Sequence, residues 1–267
     1  MIGSILIKLK PQGEIKIIGK GGETLYSLFL NILNRENKNL AKEIHDLKSE
    51  KPVTVSPFLK GTKFSNGYSV LSPNESVSFR ITYLKEELLE PIIKGFISLS
   101  ARNEPIKLSN GKILIEKVDM QKATHAGFTS FQEILSKAKN EETIVLEFCS
   151  PTSFRSQGEQ KLFPLPELVF SSLLKKWDAF SGKKLLSEIA EIEKEFGKIR
   201  VTRFRLKTEL LNFSKYKIIG FIGKVVYELP ETIDKEIKKI INALADFAFY
   251  SGVGYKTTMG MGQARRV

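Results

Sequence analysis

The chain carries two histidines, His45 and His125, and an imidazole's ordinary pKa of about 6.5 suits these side chains to moving a proton at neutral pH. His45 follows Ile44, one position off the apolar stripe Leu40, Ile44 and Leu47 of a short helical stretch, and Lys51 comes six residues later at the head of a strand. An imidazole and an ammonium on one side of a sheet edge suit phosphoryl chemistry. The first moves a proton, typically worth ~10²–10⁴-fold, and the second stabilises the extra negative charge of a pentavalent phosphorane. The plainer alternative makes His45 an exposed helix residue without chemistry. His125, in Lys-Ala-Thr-His-Ala-Gly-Phe-Thr, has no partner at catalytic spacing and reads as structural.

Metal chemistry has little to work with in this sequence. The carboxylates are scattered, with no Asp-x-Asp or paired Glu of the two-metal kind. A single cysteine, Cys149, allows neither an intramolecular disulfide nor a thiolate cage, and two histidines do not make a histidine-rich site. A nuclease of this composition is expected to need no metal and no cofactor. Such chemistry uses the RNA 2′-hydroxyl as an internal nucleophile, which selects RNA over DNA.

Four glycines, Gly252, Gly254, Gly260 and Gly262, surround Lys256 in the spacing G-x-G-x5-G-x-G, with Arg265 and Arg266 just beyond. A dinucleotide fingerprint follows a strand and opens a helix, and a P-loop enters a helix through Gly-Lys-Ser/Thr. Here an amphipathic helix precedes the loop and five residues follow it, so neither motif fits. Bare glycine amides beside cations can hold a phosphodiester. The competing reading is a flexible hairpin turn.

Arg203, Arg205 and Lys207 alternate along a strand and so share one face of a sheet. Between Lys198 and Lys224 there are eight basic residues and one acid, Glu209. The whole chain has 42 Lys and Arg against 30 Asp and Glu, and a net charge of +12 favours a polyanionic partner. A charge run also describes a solvated face. Beside the cationic glycine loop, Arg203, Arg205 and Lys207 are expected to contact an RNA backbone.

The elements that must position these residues follow from periodicity. With 267 residues, 42% of them apolar, the chain can bury a sizeable core in one or two domains. Ser4 to Lys10 alternates as a first strand, Pro11 to Gly22 reads as a loop, and Thr24 is placed to cap a helix built on Leu25, Leu28, Phe29, Ile32 and Leu33. A second helical piece runs from Leu40 to about Leu47. Two or three antiparallel strands follow between Pro52 and Thr82, with Asn66-Gly67 as a type I′ hairpin signal. A helix over Lys85–Ser100 and a strand over Gly111–Asp119 complete a β-α-β-β-α-β unit, the ferredoxin-like order. Beyond a short helix at Thr129–Ala138, the order repeats: a strand from Thr143, helices over Pro164–Phe180 and Ser187–Phe196, strands over Ile199–Leu211 and Lys215–Tyr227, a helix over Asp234–Tyr250 and a final strand. The expected fold class is α+β, two tandem ferredoxin-like (RRM-like) domains, over residues 1–122 and 123–267. No apolar run approaches the ~18 residues of a membrane span, and the expected location is cytoplasmic.

Taken together, the C-terminal glycine pattern, His45 followed by Lys51-Pro-Val-Thr-Val-Ser-Pro57, and Ser150-Pro-Thr-Ser-Phe-Arg155 leading to Leu162-Phe-Pro-Leu-Pro-Glu-Leu-Val-Phe170 resemble the CRISPR repeat-processing endoribonucleases of the RAMP superfamily. The resemblance implies cleavage of the repeats of precursor CRISPR RNA, leaving a 2′,3′-cyclic phosphate and a 5′-hydroxyl without metal. It assigns His45 as general base or acid, Lys51 to the transition state, and Tyr26, the one tyrosine on the first helix, as a third catalytic residue. It makes Gly252 to Gly262 an RNA-contacting loop. The partners it admits are CRISPR repeat RNA, a second copy of the chain, and an effector complex that receives the product. A non-catalytic RNA-binding subunit of such a complex is the alternative, and a basic ferredoxin-like scaffold with no affinity for RNA is a third.

Overall fold

The computed structural model describes residues 1–121, 124–182, 185 and 189–267. The chain divides into two compact units, the first built from residues 1–128 with 211–218 and 258–260, the second from 129–210, 219–257 and 261–267. The boundary expected between positions 122 and 123 lies outside the described residues.

In chain order the first unit contains β1 (Ile2–Pro11), β2 (Ile15–Ile18), α1 (Gly22–Glu36), α2 (Lys38–Asp46), β3 (Val53–Val55), β4 (Thr62–Ser65) and β5 (Tyr68–Leu71). β6 (Val77–Tyr83), α3 (Leu89–Ala101), β7 (Ile106–Leu108), β8 (Gly111–Asp119) and β9 (Gly127–Thr129) follow. Its main sheet runs β3-β6-β1-β8-β7, all antiparallel. Four of these strands, β3-β6-β1-β8, are those of a ferredoxin-like unit, with its first strand in the middle and its two crossover helices, α1 and α3, packed together. Gly95 of α3 permits that packing, because a Cβ there would lie 2.7 Å from Ile32 Cγ2 of α1. Ile5, Ile7 and Leu9 of β1 are fully buried, as the period-2 alternation requires.

The second unit begins with α4 (Phe131–Lys137), β10 (Thr143–Thr152), β11 (Phe154–Ser156) and β12 (Glu159–Lys161). It continues with α5 (Pro166–Phe180), α6 (Ile189–Phe196), β13 (Arg200–Asn212), β14 (Lys217–Glu228), α7 (Lys235–Ser251) and β15 (Ala264–Arg266). Its sheet order, β13-β14-β10-β15, is again ferredoxin-like, so the chain is a pair of tandem ferredoxin-like units. α5 and α7 meet through Trp177 and Phe247, whose ring centroids are 5.1 Å apart edge to face. Positions 187 and 188 of the charged helix expected from Ser187 lie outside the described residues, and α6 covers the rest.

Local expectations fail where a distant segment takes over. The Pro11–Gly22 stretch contains β2, a strand because β5 pairs with it from Ile15↔Leu71 to Ile18↔Tyr68. Thr24 does not cap α1. The cap is Gly21, at φ 86°, with no side-chain hydrogen bond, and the helix has already begun at Gly22. Asn37 both ends α1 and caps α2, its side chain accepting from the Leu40 amide at 3.0 Å. Asn66 and Gly67, at φ 50° and 81°, form the two-residue turn between β4 and β5 that their sequence announces. Among the described residues no helix is long and apolar enough to cross a membrane.

Candidate active site and nucleic-acid interface

α2 exists to hold one residue at its end. Ala41 and Ile44 bury its inner face, which turns His45 outward in the last turn with its side chain 67% exposed. His45 Nδ1 lies 2.9 Å from Asp46 Oδ1. An ionised carboxylate only accepts, so Nδ1 carries a proton and, in the neutral imidazole, Nε2 is left as the acceptor. The same hydrogen bond is the main reason the Asp46 carboxyl is held below the usual range. A carboxyl lowered in the fold keeps its contribution above the ordinary value of about 3.9 and loses it only as the pH falls through the lower folded value. At neutral pH the anchor is intact. Asp46 was not among the residues singled out from sequence, although the His-Asp dipeptide was there to be read.

Lys51 is brought to the same helix end. Its Nζ donates to the carbonyls of Ile44 and His45, the latter at 2.9 Å, satisfying carbonyls that the end of α2 leaves without an intrahelical partner. Burial lowers its pKa, opposed by the Asp46 carboxylate. An ammonium has three donors, and two are used. The site therefore holds a directional proton acceptor and a fixed cation with one N–H to spare, joined through the backbone of His45.

Tyr26 makes no hydrogen bond to His45 or Lys51 among the described residues. It lies on α1 within the hydrophobic core, 6% exposed, stacked on Phe29 at 6.3 Å. Among the described residues its hydroxyl has no hydrogen-bond partner, and desolvation pushes its pKa up to about 12.

The glycine-rich tail leaves α7 at Ser251 and enters β15 at Ala264. All four glycines have positive φ, from 62° to 85°, which explains their residue type. Their amides are not bare. Gly252 donates to Ala248 O, Gly254 to Ser172 Oγ at 2.8 Å, Gly260 to Val55 O and Gly262 to Pro151 O. The four glycine amides are therefore spent on the loop's own fold rather than bare as expected. Within the first unit, Gly22 admits the Met259–Gly260 segment against the start of α1, since a Cβ there would sit 2.1 Å from Met259 O. In the second unit the buried Lys176 of α5 donates to Ser251 O at 2.8 Å, Gly252 O at 3.3 Å and Thr257 Oγ1 at 3.2 Å. Local pattern does not single out Lys176, which looks like one more polar position on an amphipathic helix. Lys256 stands half-exposed at φ 55°, its Nζ 5.0 Å from the Tyr255 ring centroid.

Arg203, Arg205 and Lys207 are exposed on β13, the edge strand of the second sheet. Lys207 is paired with Glu209 at 3.2 Å, whereas no carboxylate among the described residues pairs with Arg203 or Arg205. Arg265 and Arg266 are committed, the first to Glu147 at 2.7 Å and the second to Glu141 at 2.6 Å and Asp246 at 3.4 Å. His125 serves the fold, its carbonyl accepting from Ser4 Oγ at 2.6 Å. Among the described residues no three His, Cys, Asp or Glu side chains group as metal ligands would.

Residues 1–136 match the family described as CRISPR Cas6 N-terminal domain, and residues 146–264 match the family described as CRISPR-associated endoribonuclease Cas6. A CRISPR-associated endoribonuclease Cas6 from Streptococcus thermophilus is 31% identical over 156 residues, 57% of this chain and 60% of that protein. One from Mycobacterium tuberculosis is 25% identical over 199 residues, 74% of this chain and 61% of that protein. The chain thus spans about 60% of the length of these relatives. Among solved structures, a product complex of a Thermus thermophilus Cas6 superimposes with a TM-score of 0.85 at 25% identity, covering both chains completely. A further Cas6 product complex gives 0.78 at 26%, again over the whole of both chains.

Proposed function

Because this chain belongs to the Cas6 family, we propose that it is an endoribonuclease that cuts the repeats of precursor CRISPR RNA by metal-independent transesterification. The observation that carries the reading is the end of α2, where the Asp46 carboxylate engages His45 Nδ1 while Lys51 is fixed to the carbonyl of the same residue. Nε2 takes the proton of the 2′-hydroxyl upstream of the scissile phosphate. The freed 2′-oxygen attacks phosphorus, the bond to the 5′-oxygen breaks, and the imidazolium returns the proton to that leaving oxygen. The products are a 2′,3′-cyclic phosphate and a 5′-hydroxyl. The remaining N–H of Lys51 stabilises the charge on the phosphorane. Arg203, Arg205, Lys207 and Lys256 hold the RNA backbone, while the glycines of the tail act by shaping the loop that carries Lys256.

Single-turnover cleavage of labelled repeat RNA in excess EDTA tests the proposal. One cut leaving a cyclic phosphate is expected, and a 2′-deoxy substitution upstream of the cut abolishes it. His45→Ala loses most of the rate, on the order of 10²–10⁴-fold, and keeps RNA affinity. Cleavage that requires Mg²⁺ or survives the deoxy substitution would overturn the mechanism. RNA binding with no cut under any condition would identify a binding subunit instead.

A further inference from the structure

The small sheet β2-β5-β4 of the first unit has one face that serves no core. Its inner face is set by Ile17, Ser69 and Leu71, all no more than 2% exposed. The period-2 alternation turns Tyr68 and Val70 the other way, and the register puts Ile18 directly opposite Tyr68, with Lys16 and Lys63 on either side of Val70. Tyr68 is 44% and Ile18 41% exposed. Neighbouring strands lie roughly 5 Å apart and alternate residues roughly 7 Å, so the backbones of the two lysines stand about 10 Å from each other, one row from the tyrosine. Neither cation is tightly neutralised. Lys16 has Glu14 at 3.7 Å with both side chains more than half exposed, and no carboxylate among the described residues pairs with Lys63. The backbone beneath is firmly held. Gly19 N donates to Gly67 O at 2.8 Å and Ser69 Oγ to Gly19 O at 2.9 Å. Lys16 is fixed from the β7–β8 turn, its amide donating to Asn110 Oδ1 at 3.2 Å and its carbonyl accepting from Ser109 Oγ at 3.1 Å.

An exposed tyrosine on a sheet face with two lysines in the next row is unlike a protein-docking surface, whose centre is apolar and from which lysine is depleted. It matches a short run of unpaired nucleotides, which offers a flat base to the ring and a phosphate to each cation. We propose that this face of β2-β5-β4 is a binding platform for unpaired RNA. Tyr68 stacks one base, Ile18 extends the apolar floor beneath it, and Lys16 and Lys63 hold the adjoining phosphates. The platform rests on the RNA-binding part of the function proposed above and not on the cleavage step. Its strands carry none of the residues assigned to chemistry, so its loss weakens binding and leaves the cut alone. Phe64, also exposed, stands outside it, because its register partner is the inward-facing Ser69 and places it on the other face.

Affinity for repeat RNA, made non-cleavable by a 2′-deoxy substitution at the cut and carrying one abasic nucleotide at each position in turn, tests the platform without relying on catalysis. Tyr68→Ala is expected to lose about fivefold or more in affinity and to melt as wild type does, while Tyr68→Phe and Phe64→Ala bind close to wild type. One abasic position should cost wild type the same factor and cost Tyr68→Ala nothing further, because the two removals share one contact. Lys63→Gln should lower the slope of log affinity against log salt by about 0.7, the value for one single-strand phosphate contact, and Tyr68→Ala leaves that slope as it was. Fully duplexed RNA should bind wild type and Tyr68→Ala alike. Penalties that add at every abasic position, or an equal loss for duplex RNA, would overturn the platform. A Tyr68→Ala protein that binds repeat RNA as wild type does would overturn it too, and leave the face to a protein partner. Failure of wild type to bind RNA would sink both the platform and the proposed function, whereas Tyr68-dependent binding without cleavage would remove the nuclease reading alone.

Discussion

A single hydrogen bond decides what His45 can do. Imidazole has two nitrogens, and the Asp46 carboxylate 2.9 Å from Nδ1 settles which one is left to accept a proton. Lys51 works differently, since two of its three donors are held by the backbone carbonyls of Ile44 and His45, while burial lowers its pKa and the Asp46 carboxylate opposes that shift. Tyr26 marks the limit of reasoning by residue type. A tyrosine on the first helix resembles a catalytic one, yet its phenol is enclosed in the core with no hydrogen-bond partner among the described residues. Tyr26→Phe is therefore expected to cleave within about twofold of wild type and to melt no lower, because it removes a buried hydroxyl that makes no hydrogen bond. A drop of tenfold or more in single-turnover rate, with RNA affinity retained, would return Tyr26 to the catalytic set.

At the scale of elements, the glycine-rich tail is a structural joint. Lys176 satisfies the carbonyls where α7 ends and grips Thr257, and the glycines supply positive φ angles at close approaches of backbone to backbone. Gly254 has Ser153 O at 2.4 Å from where a Cβ would stand. Gly254→Ala and Lys176→Met are each expected to destabilise the protein by about 1–3 kcal/mol, the first through backbone strain and the second through buried carbonyls left unpaired. Thermal unfolding reads both. A Gly254→Ala protein of unchanged stability and weakened RNA binding would restore the direct-contact role expected of the glycines. α2 is a simpler device: nine residues, one buried stripe, and a C-terminus that serves as the mount for His45 and Lys51.

At the scale of the whole molecule, a net charge of +12 becomes informative once paired and unpaired cations are separated. Lys224, Arg265 and Arg266 all have carboxylates within 4 Å, so the positive field available to a polyanion comes from fewer residues than the composition suggests. Arg203 and Arg205, exposed on an edge strand, are among those left over. Arg203→Gln and Arg205→Gln should each weaken RNA binding at every sequence and lower the salt slope by about 0.7; an unchanged slope would remove that residue from the interface. The sequence by itself determined the order of elements and hence the tandem ferredoxin-like architecture, because hydrophobic period, turn residues such as Asn66-Gly67 and the Asp234 cap act over a few neighbouring positions. It also brought His45 and Lys51 to notice, since six residues of chain carry one to the other. Only the tertiary structure decided that Tyr26 is buried, that β2 is a strand, that Lys176 lies beneath the tail and that the amides of Gly254, Gly260 and Gly262 are already spent. Each of those depends on a partner tens or hundreds of residues away, and burial and hydrogen-bond pairing at that range are set by packing, on which local residue pattern carries no information.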